Sequence, residues 1–127
     1  MRLLDSNAFV WAVTGSRQLT ARAREAITEV GATLRVSPLL HYELSQKAAR
    51  GKLQLFIAPI DFVERGIEQL GAMELPLRLS HTRLSDTLEW HHRDPFDRLL
   101  ALQALAEGMS IVSSDPVFDL YGVERIW

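Results

Sequence analysis

The 127-residue sequence predicts an α/β protein built in α/β/α layers, with a mainly parallel central sheet flanked by helices. Two observations carry that expectation. Short apolar runs of strand length alternate with longer segments of helical periodicity, an order that implies right-handed crossovers between parallel strands. Turn signals arrive at intervals suited to one compact unit, and no repeat, low-complexity tract or linker divides residues 1–127. With 47% hydrophobic residues the chain has enough apolar material for one domain with its own core.

Taken in order, "RLLD" at residues 2–5 is a short apolar run ending on a carboxylate and reads as a buried strand. Helical patterning follows over residues 8–13 and again over 20–30, with Gly31 as a stop. "TLRVS" is the second strand. Ser37 and Pro38 then supply an N-cap and a first helical position for a helix through "LLHYELSQKAAR", which Gly51 ends. A further helix is expected over about residues 60–70, again with a glycine behind it, and "MELPL" as a short strand. Ser80 is expected to cap a helix running to about Trp90. In "HHRDPFDRLLALQALAEG", Asp94 suits the N-cap of the next helix and Pro95 its first turn. "SIVSS" and "VERIW" close the chain as strands.

The formal charge of −2 argues against a protein that holds nucleic acid by bulk phosphate neutralisation, while leaving room for a local basic rim. The absence of cysteine excludes a disulfide framework and a thiolate metal site, and is compatible with a reducing cytoplasm. No apolar run approaches membrane-spanning length, and the first residues lack a secretory pattern. A soluble, unprocessed, cytoplasmic chain is the expectation.

The acids are more informative. Asp5 falls at the carboxyl end of the first strand and Asp115 just after "SIVSS". Glu43 falls in the second turn of the helix leaving the second strand, and Asp97 in the first turn of its own helix. All four are therefore directed to the rim where open parallel sheets gather ligands. Helical steps from Asp97 reach Leu100, Ala101, Ala104 and Leu105, so this carboxylate heads an apolar stripe and needs a partner. Two like charges 4 Å apart repel by about 4 kcal/mol at an effective dielectric of 20. A divalent cation removes that cost, and an all-oxygen donor set suits Mg²⁺ or Mn²⁺ better than zinc. The chemistry such a site suits is phosphodiester hydrolysis.

Each acid also has a purely local explanation. Asp94 caps a helix, Asp5 is placed to cap the helix near Asn7, Asp115 before Pro116 is a turn residue, and Glu43 pairs with Lys47 one turn on. Among the histidines, His91 and His92 are adjacent and diverge, while His41 and His81 have no ligand spacing. Arg93 and Arg98 either hold phosphate oxygens or balance Asp94 and Asp97.

Three stretches, "LLDSNAFVWAVTG", "VSPLLHYELSQKAARGKL" and "WHHRDPFDRLLALQALAEGMSIVSSDPVFDLYGV", together resemble the PIN-domain ribonucleases, specifically VapC-type toxins of bacterial toxin–antitoxin pairs. The likeness covers nearly the whole chain in order, and its last stretch is the most specific. It implies a PIN-like fold and a Mg²⁺- or Mn²⁺-dependent endoribonuclease toxin that cuts structured RNA, is inhibited by a cognate VapB-type antitoxin and forms a homodimer. Position by position it matches the family's acids to Asp5, Glu43, Asp97 and Asp115, with Ser114 or Ser113 in the place of a small hydroxyl residue. In that scheme Asp5 and Asp97 bind the metal directly, and Asp115 and Glu43 complete the site and orient water. Asp94 belongs to the "HHRDPFDR" signature of one branch, and Arg93, Arg98 and Lys47 are placed to guide a phosphate backbone. The chain departs from the branch at Asn7, often histidine there, and in "LLHYELSQK", which stands for a more usual "SLWEI" pattern while keeping the glutamate.

Two other readings compete. A phosphatase with Asp5 as covalent nucleophile usually needs a second aspartate two residues on, where this chain has Asn7. A non-catalytic interaction module would treat the acids as caps and recruit a partner through Trp11 or Trp90.

Overall fold

The computed structural model describes all residues, 1–127. Its elements are β1 (Arg2–Leu4), α1 (Ser6–Thr14), α2 (Ala21–Thr28), β2 (Leu34–Val36), α3 (Pro38–Ala49), α4 (Pro59–Leu70), β3 (Met73–Glu74), α5 (Leu79–Thr82), α6 (Pro95–Glu107), β4 (Ser110–Val112), α7 (Val117–Leu120) and β5 (Arg125–Ile126). The five strands form one sheet in the order β3-β2-β1-β4-β5. Every pairing is parallel. The chain builds outward from β1 to β2 and β3, then crosses back to lay β4 on the other side of β1. The strand order therefore reverses at β1, and the carboxyl ends of β1 and β4 open onto the crevice that such a reversal creates.

Strand periodicity assigns the two cores. Leu4 and Val112 enter the cluster beneath α1 to α4, with Phe9, Val36, Leu40 and Leu44. Their neighbours Leu3 and Ile111 point the other way, into the cluster beneath α6 and α7 with Leu100, Ala101, Ala104 and Phe118. Local chemistry starts the helices that matter for the site. The Asp5 carboxylate caps α1 by accepting from the Ala8 N–H at 3.0 Å. Ser37 caps α3, and Asp94 caps α6, each followed by proline in the first turn. No helix is long and apolar enough to cross a membrane.

One expected element is corrected. Ser80 does not cap a helix running to Trp90; it lies inside α5, which starts at Leu79 after Arg78 and stops at Thr82. A 3₁₀ turn follows over Arg83–Asp86, and residues 87–94 form no regular helix or strand. Long-range bonds explain the difference. The buried His81 ring accepts the Arg78 N–H at 3.0 Å and joins Glu107 at 2.7 Å, which fixes α5 against the end of α6. The guanidinium of Arg98 takes the carbonyls of Ser85 and Leu88, so these oxygens serve a side chain from α6 where a helix would use backbone N–H groups.

Gly66 marks the closest approach of α4 to α1. A Cβ there would crowd the Phe9 ring and lie 2.8 Å from Val13 Cγ2. Phe9 is fully buried and meets Phe62 edge-on with ring centroids 6.1 Å apart, so it has no free direction in which to yield. Gly66→Ala is predicted to destabilise the fold by about 1–3 kcal/mol through overpacking, read as a lower urea midpoint at unchanged slope.

Candidate metal centre

Asp5 follows β1 directly and is only 7% exposed. One carboxylate oxygen caps α1, and the other accepts the hydroxyl of Ser113, the fully buried residue that follows β4. The same Ser113 Oγ accepts the N–H of Asp115 at 3.0 Å, and Asp115 in turn accepts the N–H of Val117 at 2.9 Å. A continuous chain of hydrogen bonds thus ties the ends of β1 and β4 together. It runs through Ser113, whereas Ser114 makes no side-chain hydrogen bond.

The other acids come from helices. Glu43 faces inward from α3 with its side chain 13% exposed and pairs with Lys47 at 3.3 Å, the surface arrangement anticipated for it. Asp94 caps α6 through one oxygen, accepting from the Phe96 N–H at 2.9 Å. Asp97, in the first turn of α6, finds its partner in His92, whose Nε2 lies 3.2 Å from Asp97 Oδ2. Donor atoms of His92, Asp94 and Asp97 lie within 4.8 Å of one another. Sequence reasoning discounted His92 because adjacent histidines diverge. Instead both rings lie edge-on to Tyr121, with centroids 4.9 Å away for His91 and 6.0 Å for His92, and the bend before the α6 cap brings His92 onto the first helical turn.

These local roles do not neutralise the cluster. Burial, then the charge of Asp94 and, against the His92 bond, those of Asp115 and Glu43 push Asp97 up to about 7. Burial also raises Asp5, against its bonds to Ser113 and Ala8, and the charge of Glu43 adds to the rise. The charge of Glu43 thus bears on both aspartates, one after β1 and one on α6. For His92, burial opposes protonation but the bond and charge of Asp97 outweigh it, and the ring is shifted upward. Acids far apart in the chain therefore share one field.

The basic residues separate. Arg98 is 3% exposed and commits its guanidinium to the Ser85 and Leu88 carbonyls under the Trp90 ring, 4.1 Å from its centroid. It has no freedom to hold a phosphate, and that expectation is withdrawn; its burial is what residues 85–90 wrap around. Arg93 is exposed and Lys47 half-buried, each on the rim. Of the two tryptophans considered as docking points, Trp11 packs on Trp127 at 5.6 Å while Trp90 remains exposed over Arg98.

The folded protein holds the Asp97 proton to about pH 7, whereas an unfolded aspartate releases it near 3.8. Between those values the folded state binds more protons, so the free energy of unfolding falls as pH rises through that window. Asp5 is shifted in the same direction and adds to it, while the raised His92 acts only above its ordinary value of 6.5. In chelator, thermal melts are predicted to show Asp97→Asn matching the parent near pH 4 and melting at a higher temperature near pH 8, where the parent carries the full repulsion.

Comparison with known proteins agrees with this architecture. The PIN domain family profile matches residues 2–124. Among solved structures, a chain of the Rickettsia felis VapBC2 complex bound to a promoter DNA fragment superposes with a TM-score of 0.67 at 14% identity, over 99% of this chain and 98% of that one. A chain of FitAcB from Neisseria gonorrhoeae gives 0.64 at 19% identity, over 98% and 96%. A chain of DNA-bound VapBC from Salmonella typhimurium gives 0.63 at 15% identity, over 98% and 95%. No curated protein sequence matches. With its five parallel strands, its two helical layers and a profile match across nearly its whole length, the chain belongs to the PIN domain family.

Proposed function

We propose that the protein is a VapC-type toxin: a Mg²⁺- or Mn²⁺-dependent endoribonuclease that hydrolyses RNA phosphodiester bonds, acts as a homodimer and is neutralised by a VapB-type antitoxin. The observation that carries this reading is the gathering of acids at the reversal point of the sheet, with Asp5 and Asp115 tied through Ser113 and donor atoms of His92, Asp94 and Asp97 within 4.8 Å of one another. Similar folds found in VapBC and FitAcB complexes support the antitoxin partner.

The donor set fits a hard dication. It is rich in carboxylate oxygens and sits at a partly dry rim, where Lys47 beside Glu43 and His92 beside Asp97 offset only part of the negative charge. Asp5 and Asp97 would hold the ion, with Glu43 and Asp115 completing the site. Such an ion supplies Lewis acidity toward a phosphoryl oxygen and an acidified water at neutral pH.

The chain's own groups do the rest. Ser113 fixes the Asp5 carboxylate, and the Asp94 cap sets the start of α6 so that Asp97 in its first turn faces the same space. Glu43 and Asp115 offer acceptor oxygens that orient the attacking water in line with the scissile P–O bond. His92 steadies Asp97 through its Nε2.

The phosphatase alternative is disfavoured because the second aspartate it needs two residues after Asp5 is replaced by Asn7.

Asp5→Asn and Asp97→Asn are each predicted to lower cleavage of total RNA at least about a hundredfold while circular dichroism stays native. Cleavage that persists at full rate in excess chelator would contradict the metal requirement. Expression of the parent is predicted to arrest growth, and Asp5→Asn to relieve the arrest.

A further inference from the structure

The turn that carries Asp115 is gripped at both ends by one side chain. Arg125, half-buried on β5, donates from Nη1 to the Ser113 carbonyl at 3.3 Å, just after β4. Its Nε and Nη2 donate to the two carboxylate oxygens of Asp119 in α7, at 3.1 and 2.9 Å. The guanidinium fork therefore closes a ring over residues 113–119, with Asp115 inside it. Ser113 is held at every polar atom. Its N–H donates to the Ile126 carbonyl at 3.2 Å, its carbonyl accepts from Arg125, and its hydroxyl joins Asp5 to the Asp115 N–H. The Asp119 bond holds the guanidinium above its ordinary value, and against the opposing burial the charges of Asp119 and Asp115 add to the rise.

Little else steadies this corner. α7 has four residues and no side-chain cap, and β5 has two residues at the edge of the sheet. Elements this short do not fix a turn by their own backbone bonds. An ion pair as exposed as Arg125 with Asp119 adds little to overall stability, so its effect is on where the turn sits. A planar fork can take a carboxylate through two donors and a carbonyl through a third, which a lysine ammonium does not reproduce. We propose that Arg125 is a positioning residue for the metal centre: by tying the Ser113 carbonyl to Asp119 it fixes the turn that presents Asp115 and the hydroxyl that holds Asp5. This rests on the nuclease reading and adds to it a residue that acts through the acids.

The test uses Arg125→Met and Arg125→Lys in the full chain. The control is Arg2→Met, because Arg2 likewise spans a carbonyl, that of Ala26, and a carboxylate, that of Glu29, from the start of β1, the opposite end from Asp5. Mn²⁺ affinity is read from the loss of the free-ion paramagnetic resonance signal, and cleavage of total RNA is followed against Mg²⁺ concentration. By charge alone, removing a cation beside the acids tightens dication binding. Arg125→Met is predicted instead to weaken Mn²⁺ at least about tenfold and to raise the half-saturating Mg²⁺ by a similar factor, with KM for RNA unchanged. Arg125→Lys keeps the charge and the stem without the fork; it is predicted to bind as weakly, and it carries the test if the methionine variant does not fold. Arg2→Met is predicted to bind Mn²⁺ as the parent does. Parent affinity or tighter in either folded Arg125 variant overturns the proposal, as does an equal loss in Arg2→Met. If Asp97→Asn loses the Mn²⁺ that the parent binds while the Arg125 variants retain it, the positioning role falls and the metal centre stands. If the parent binds no Mn²⁺, both fall.

Discussion

Mutual repulsion among carboxylates at the open end of the sheet is the constraint around which this molecule is arranged. Every acid there has a structural reason to be where it is. Asp5 caps α1, Asp94 caps α6, Asp115 closes a turn into α7 and Glu43 pairs along α3. Those local bonds are inexpensive ways to hold anions in place. They direct the acids without cancelling their charge, and burial together with the charges of Asp94, Asp115 and Glu43 pushes Asp97 up to about 7 even with His92 against it. The fold thus stores an electrostatic cost that a bound dication would relieve. That pattern of instability concentrated at a site is characteristic of function rather than of stability.

The parallel sheet makes the convergence possible. Because β1 lies between β2 and β4, the chain segments that leave those strands all emerge on one side. The hydrogen bonds of Ser113 to Asp5 and Asp115 then lock two strand ends that are 108 residues apart in sequence. On the opposite flank, Arg98 performs a purely structural task. Its buried guanidinium satisfies carbonyls of the segment that leads into His92, so a charge near the site builds the wall instead of meeting substrate.

Most of this was legible in the sequence wherever the cause is local. Strand length, proline after a capping residue and glycine behind a helix locate β1, β2, α3 and α6, and with them all four acids. What escaped depends on contacts between distant segments. The expected helix from Ser80 to Trp90 is interrupted because Arg98 and Glu107, both in α6, claim groups within or beside it. The choice between Ser113 and Ser114 rests on which one faces Asp5 across the β1–β4 pairing, a matter of register. His92 was missed because its direction is set by a bend, for which spacing carries no signal. Arg98 looked like a rim cation because a buried guanidinium with carbonyl partners leaves the same trace in sequence as a solvated one.

The most direct test of the central claim is calorimetric titration of Mn²⁺ into the protein near pH 6.5, in buffers of different ionisation enthalpy. A dication that takes over from the proton on Asp97 must displace it, so binding is predicted to release protons, with Asp5→Asn and Asp97→Asn each weakening the affinity at least about tenfold. Binding without proton release, or with an affinity indifferent to both substitutions, would show that the acids do not act as one site.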